Sequence, residues 1–250
     1  MSLPGVTEHT VGTREEWEAA RSELLELENA HAQQSDELAK KRRELPWVPV
    51  EKEYTFATED GTKSLAELFD GRSQLLAYNI MFGPTYEAAC PGCSNLADHL
   101  DPALVHLNNR DVTLLCFSRA PIEKLKAYKQ RMGWQFPYVS TYESDFAFDY
   151  GLALTEEEAA GVEEIQTMLK DPPDWLQDWA KDVGSDLEPA MRENPSWYAF
   201  ALKDGVVYHT YSRSAPDNDF VVPYSSLLLA RTPKEPVDAF FARRKDEYDR

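Results

Sequence analysis

Leu75–Leu76–Ala77–Tyr78–Asn79–Ile80–Met81–Phe82, then Gly83–Pro84–Thr85–Tyr86–Glu87–Ala88–Ala89, then Cys90–Pro91–Gly92–Cys93: this is the stretch from which the fold is read. Its first part is a nearly unbroken apolar run, the pattern of a strand buried on both faces, as in parallel sheets. Gly83–Pro84 ends it. Beyond the cysteines, Leu96, Leu100, Ala103, Leu104 and Leu107 recur at steps of three and four, the spacing of a helix. Strand, loop, Cys-x-x-Cys and helix is the order in which a dithiol does redox chemistry. At a helix start, partial positive charge and unpaired N–H groups stabilise a thiolate, the attacking species. Two intervening residues let the second sulfur attack the first once that carries a mixed disulfide. The other readings of the same motif are two buried packing thiols or half a zinc site.

Working downstream, Pro102 falls inside the expected helix, with Asp101 placed to cap a restart, so a kink is predicted there. Residues 112–117 (Val–Thr–Leu–Leu–Cys–Phe) read as a second buried strand. It runs into Ser118–Arg119–Ala120–Pro121 and a helix with Ile122, Leu125 and Met132 inward and Lys124, Lys126, Lys129 and Arg131 outward. Strand, helix, strand, helix at these lengths predicts a parallel sheet with right-handed crossovers. Residues 136–140 read as a short extended piece. Residues 155–194 change character: Glu156–Glu157–Glu158 opens an acidic stretch with Pro172–Pro173, Trp175 and Trp179, expected to be a mainly helical surface insertion whose tryptophans either anchor it, the favoured reading, or cover the active site. Residues 197–202 and 206–211, joined by Lys203–Asp204–Gly205, predict an antiparallel hairpin. From Pro236, with Phe240 and Phe241 among charges, a last helix is expected.

Upstream, residues 13–45 read as a helical arm, opened by a capping box of Thr13 and Glu16. Trp17, Leu24, His31, Leu38 and Leu45 share one heptad position; Ala20, Leu27, Gln34 and Lys41 share its companion. A seam apolar in its first half and polar in its second suits an arm packed on its own domain or across a homodimer. Pro46 and Pro49 stop it. Residues 53–56 read as a short strand followed by the turn Glu59–Asp60–Gly61. Ser64 then caps a short helix with Leu65, Leu68 and Phe69, ended by Asp70–Gly71.

Composition narrows the function. A formal net charge of −18 repels a phosphate backbone, which argues against nucleic acid as a partner. With 42% hydrophobic and 12% aromatic residues the chain can fill a core. Three unevenly spaced cysteines do not make a secreted disulfide scaffold. No apolar stretch has membrane-spanning length and no signal peptide is visible, so a soluble cytoplasmic protein without a membrane partner is expected.

A parallel β-α-β core carrying Cys-x-x-Cys and completed by an antiparallel hairpin resembles the thioredoxin plan. A narrower resemblance is to the bacterial thioredoxin-like family DUF899. It rests on Arg42–Arg43–Glu44–Leu45–Pro46–Trp47, Leu68–Phe69–Asp70–Gly71–Arg72–Ser73–Gln74–Leu75, Met81–Phe82–Gly83–Pro84, Cys90–Pro91–Gly92–Cys93–Ser94, Arg110–Asp111–Val112–Thr113–Leu114, Ser118–Arg119–Ala120–Pro121, Met132–Gly133–Trp134, Ser144–Asp145–Phe146 and His209–Thr210–Tyr211–Ser212. The resemblance implies an α/β, thioredoxin-like fold: a central mixed sheet flanked by helices over residues 46–250, with the arm before it and residues 155–194 inserted. Within the wider superfamily, Ala89 stands where thioredoxins place Trp, and Pro91–Gly92 where they place Gly-Pro. Glu87 stands where peroxiredoxins carry Thr.

By the thioredoxin resemblance Cys90 is the more exposed thiol and the nucleophile, and Cys93, one turn in, resolves the mixed disulfide. Cys116, inside an apolar strand, reads as a core thiol. Arg119 ends a parallel strand at the sheet edge that the Cys90 loop shares, where a cation lowers a thiolate pKa or holds an anion. Tyr86 and Glu87 lie in the same loop as candidate proton donors or acceptors. Pro195 resembles the cis-proline that faces the dithiol in thioredoxins. Cys90, Cys93, His99 and His106 are four potential zinc ligands, but two histidines about 10 Å apart along one helix do not converge on one ion unless the helix breaks. No metal and no cofactor are expected. The reaction expected is thiol-disulfide exchange or antioxidant reduction of a small peroxide or disulfide, or of a protein disulfide. The other class is a thioredoxin-fold scaffold with an idle dithiol.

Overall fold

The apolar run at residues 75–79 is the centre of an eight-stranded mixed sheet in the computed structural model, which describes residues 10–214, 228, 231–232 and 243–248. In chain order come helix α1 (Arg14–Arg43), strand β1 (Val48–Pro49) and the pair β2 (Thr55–Thr58) and β3 (Gly61–Ser64). Strand β4 (Gln74–Asn79), helix α2 (Pro91–Ala97), helix α3 (Leu104–Asn108), strand β5 (Val112–Ser118), helix α4 (Ile122–Met132) and strand β6 (Tyr138–Ser140) follow. After helix α5 (Phe146–Asp149) come α6 (Glu156–Gly161), α7 (Glu163–Lys170), α8 (Asp174–Val183) and α9 (Leu187–Met191), then strands β7 (Ser196–Lys203) and β8 (Val206–Ser214).

The strands lie in the order β1-β8-β7-β4-β5-β6-β2-β3. β4, β5 and β6 run parallel, β7 is antiparallel to β4, and β8 is antiparallel to β7. The four strands β8-β7-β4-β5, with β7 alone reversed, are the thioredoxin core. Alternate residues of β4 and β5 serve opposite faces: Tyr78, Leu114 and Cys116 join the core under the cysteine loop, while Leu75, Ala77, Leu115 and Phe117 join the core beyond the sheet. Both faces are apolar, so these strands read as continuous hydrophobic runs.

Pro102 breaks the helix after the cysteines into α2, a 3₁₀ turn (Asp101–Ala103) and α3, as its missing N–H and ring clash require. Asp101 does not cap the restart. Its carboxylate accepts the backbone N–H groups of Gln135 and Phe136, each at 3.0 Å, because that loop offers two orphan donors. Ser64 and Glu67 bond reciprocally at the expected short helix, which is a 3₁₀ turn (Glu67–Phe69) ended by left-handed Asp70.

Residues 156–191 are helical as expected, and α6 opens with a capping box of Thr155 and Glu158. α8 buries Leu176, Trp179, Ala180 and Val183, the spacing of one helical face. The arm does not pack on its own domain, the first of the two arrangements expected of it. Thr13 and Glu16 form the capping box, but no residue of α1 is buried, and Trp17, Leu24, Leu27 and Leu38 are exposed. Its base touches the sheet edge through Arg42, whose guanidinium lies 5.7 Å from the Tyr211 ring centre. In the half of the seam nearest the sheet Gln34 and Lys41 alternate with Leu38 and Leu45, which leaves that end a broken apolar face. Pro236, Phe240 and Phe241 lie outside the described residues.

Candidate active site

Cys90 is the N-cap of α2, with Pro91 at the first helical position, where a missing N–H costs nothing. Its own N–H donates to the Met81 carbonyl at 2.9 Å, tying the loop back to the end of β4. Ser94, one turn on and buried, donates through Oγ to the Cys90 carbonyl at 2.9 Å and lies 2.9 Å from the Tyr128 hydroxyl. The loop between strand and helix is pinned from outside as well. Lys124 of α4 donates to the carbonyls of Pro84 and Tyr86 at 3.0 and 2.6 Å.

All three cysteines are free thiols, and all are buried. Cys90 is not the more exposed of the pair: it is 5% exposed and Cys93 4%. The reason is α8. The indole Nε1–H of Trp179 donates to Cys90 Sγ at 3.4 Å, and the Trp179 ring stands edge-on to Tyr86 at 6.1 Å. Trp179 therefore covers the dithiol, the less favoured of the two roles open to the insertion's tryptophans; Trp175 remains 38% exposed.

The two motif thiols are driven apart in acidity. The Cys93 thiol, hydrogen-bonded to Cys90, is the largest influence holding Cys90 down, to about 6 against the ordinary thiol range; burial opposes it, and N–H groups of Cys93, Trp179 and Gly92 add to it. Cys93 is pushed well up, first by burial and then by its bond and charge interaction with Cys90, with the Tyr78 hydroxyl acting the other way. One thiolate shared by a hydrogen-bonded pair sits on Cys90. Burial likewise pushes Cys116 well up, which fits a core thiol.

Arg119 lies at the expected sheet edge, directly after β5, but its donors go elsewhere than the thiol. Nε and Nη2 meet Glu193 Oε1 at 3.0 and 2.7 Å, and the guanidinium lies 5.1 Å from the Phe148 ring centre. Glu193 is 3% exposed, and burial raises its pKa against the pull of Arg119. A Cβ on Gly83 would come within 2.7 Å of the Glu193 carboxylate, so glycine is what lets the loop pass over this pair. The Tyr86 hydroxyl donates to the Ala190 carbonyl at 2.6 Å, so its proton is committed to structure. Glu87 is exposed and its side chain lies over Gly184. Pro195 stands at the entrance to β7, between buried Glu193 and the Asn79–Ser196 pair at the sheet end. His99 bonds to the Asn95 carbonyl at 2.8 Å.

Sequence reasoning missed Glu193, Lys124 and Arg244. Arg244 is 3% exposed and reaches Ala89, 155 residues away. An arginine in the run Arg243–Arg244–Lys245–Asp246–Glu247 carries the signature of a solvated face, and nothing local in the sequence marks it as buried.

Strand order and dithiol placement define a thioredoxin-fold protein with Cys-x-x-Cys at the start of the first core helix. The chain belongs to the family described as bacterial protein of unknown function (DUF899), whose model matches residues 6–248. No curated protein matches it. Among solved structures it is similar to a cysteine-to-serine mutant of Xanthomonas campestris peroxiredoxin Q at 14% identity, over 70% of this chain and 87% of that one, with a TM-score of 0.44. It is also similar to a mutant of Xylella fastidiosa PrxQ at 12% identity (71% and 86% covered, TM-score 0.44). A third likeness is to the peroxidoxin BcpB of Mycobacterium tuberculosis at 13% identity (74% and 93% covered, TM-score 0.40). Among the described residues no helix is long and apolar enough to cross a membrane.

Proposed function

We propose that this protein is a thiol oxidoreductase of the reducing cytoplasm that works through Cys90 as nucleophile and Cys93 as resolving thiol. The observation that carries the reading is geometric: two free thiols at the start of α2, Cys90 at its N-cap and receiving the Trp179 indole N–H at 3.4 Å, with Cys93 one turn in, an arrangement that lowers the Cys90 pKa and raises that of Cys93. A thiol whose pKa is lowered in this way is ionised to a larger share at neutral pH than a free thiol near 8.5, of which only a few per cent is thiolate. Each thiolate becomes intrinsically weaker as its pKa falls, but the gain in population is the larger effect. Attack by Cys90 on a substrate disulfide gives a mixed disulfide, and attack on a peroxide gives a sulfenic acid. Cys93 then closes either to a Cys90–Cys93 disulfide, which an external dithiol reduces. Arg119 supports this from a distance by keeping Glu193 paired beside the cysteine loop.

The burial of both sulfurs favours a second reading, a scaffold whose dithiol is idle. The pH dependence of Cys90 alkylation separates the two. The enzyme reading expects a midpoint near 6 and, on mild oxidation, a mass lighter by two hydrogen atoms with Cys116 still free. Both motif thiols free after oxidation, or a midpoint in the ordinary thiol range, leaves the scaffold.

A further inference from the structure

Cys90 and Cys93 lie under a roof assembled from distant parts of the chain. Trp179 covers Cys90, and α8 is fastened where it meets the cysteine loop. The Val183 carbonyl accepts the N–H groups of Glu87 and Ala88 at 2.8 and 3.3 Å, and the hydroxyls of Thr85 and Ser185 are 2.7 Å apart. Arg244 closes the remaining side. Its Nε and Nη2 donate to the Ala89 carbonyl at 3.0 and 2.7 Å, and Nη2 also donates to the Asp182 carbonyl at 2.9 Å. One buried guanidinium thus joins the peptide beside the nucleophile to the last turn of α8. Such a charge is retained only where its donors are met. Glu247 takes Nη1 at 2.9 Å and is itself held by Arg131 at 2.8 Å.

We propose that α8, latched by Arg244, restricts Cys90 to small uncharged hydroperoxides and excludes protein disulfides and bulky anionic disulfides. This rests on Cys90 being the attacking thiolate. Size supports it: thiol-disulfide exchange aligns three sulfurs and needs the substrate's chain over the attacking one, where the Trp179 ring sits. Charge supports it too. Arg119 is given to Glu193, Lys124 to two carbonyls, and Arg244 to two carbonyls and Glu247. Among the described residues, an anionic substrate entering between Arg119, Lys124 and Arg244 loses its hydration and meets three cations whose donors are already engaged. A neutral hydroperoxide avoids that loss.

The step balances without further groups. Cys90 thiolate attacks the terminal oxygen of ROOH, an S–O bond forms, the O–O bond breaks, and the alkoxide takes a proton from water and leaves as ROH. Cys93 then attacks the sulfenic sulfur; its thiol proton leaves with the hydroxyl as water, and the S–S bond forms. The peroxide is reduced by two electrons and the pair oxidised, to be restored by a dithiol reductant.

The test compares the full chain with Arg244→Ala, following Cys90 by mass during reaction with tert-butyl hydroperoxide and, separately, with dithionitrobenzoate. In the native protein dithionitrobenzoate should react with Cys90 at least about a hundredfold more slowly than in the unfolded chain, as for a thiol reached only by local opening. In Arg244→Ala the ratio of the dithionitrobenzoate rate to the hydroperoxide rate should rise about tenfold or more. If that variant does not fold, Trp179→Ala, which removes the ring over the sulfur, gives the same comparison and the same expected rise. An unchanged ratio, or dithionitrobenzoate reacting as fast with the native as with the unfolded chain, overturns the proposal. A low alkylation midpoint with no hydroperoxide reaction removes the substrate class alone; a midpoint at the free-thiol value removes the thiolate reading beneath it.

Discussion

At the scale of single residues, the acidity of Cys90 depends on its partner more than on the helix start. The Cys93 thiol is the first cause of its lowering, ahead of any backbone N–H. Cys93→Ala should therefore raise the alkylation midpoint of Cys90 more than Trp179→Phe does, as titration with iodoacetamide would register. The Arg119–Glu193 pair gives a second expectation. Glu193 titrates above its unfolded value in the folded protein. Its charge thus costs nothing below the unfolded value, and the cost grows as pH rises through the folded one. Arg119→Ala leaves that charge uncompensated, so the variant should lose about 3–5 kcal/mol at high pH and distinctly less near pH 5. Urea unfolding at the two values measures it; an equal loss at both would mean Arg119 matters for its packing on Phe148. The cysteines were legible because the motif is local and its spacing carries the chemistry. Glu193 and Arg244 were not, and for Trp179 only the choice between covering and anchoring was visible, because the partners lie 74, 155 and 89 residues away and only the folded chain brings them together.

At the scale of elements, what the sequence stated plainly was whatever a short window decides. β4 and β5 were readable because both faces are buried and the whole run is apolar. The hairpin was readable from its turn: Lys203 pairs with Val206 across Asp204 and Gly205, both with positive φ of 52° and 79°. Two left-handed residues in a two-residue loop match the twist of the strands, which is why Asp-Gly stands there. Gly205→Ala should cost roughly 1–2 kcal/mol by forcing a Cβ into that region, whereas Asp204→Asn should be close to neutral. Denaturant midpoints compare them, and an Ala variant as stable as the parent would place the turn in another conformation. α8 illustrates the opposite case. Its apolar face was visible, but which surface it covers is decided by the N–H groups of Glu87 and Ala88 that meet the Val183 carbonyl and by Arg244, and a window of one helix contains none of these partners.

At the scale of the whole molecule, the arm stands apart from everything that holds the site. α1 spans 30 residues, about 45 Å at 1.5 Å per residue, without burying one of them. Burial of apolar area is the dominant favourable term in folding, so an arm that buries none adds little to the stability of the sheet. Isolated helices owe their stability to length and to i,i+4 pairs such as Arg14–Glu18, worth a few tenths of a kcal/mol each. Removing residues 1–43 should therefore leave the melting temperature of the remaining chain within about 2 °C of the parent, no more than the lower end of the roughly 2–4 °C that follows from each 1 kcal/mol in a domain this size. The alkylation midpoint of Cys90 should be unchanged, because α1 shares no hydrogen bond with the cysteine loop or with α8 among the described residues. The same measurement run at several protein concentrations separates the alternatives. A parent whose melting temperature climbs with concentration while the truncated chain's does not would mean that a second copy covers Trp17, Leu24 and Leu38, since mass action stabilises whatever associates only when folded. Concentration-independent melting of both chains, at the same temperature, is the outcome expected of an arm whose apolar stripe faces water.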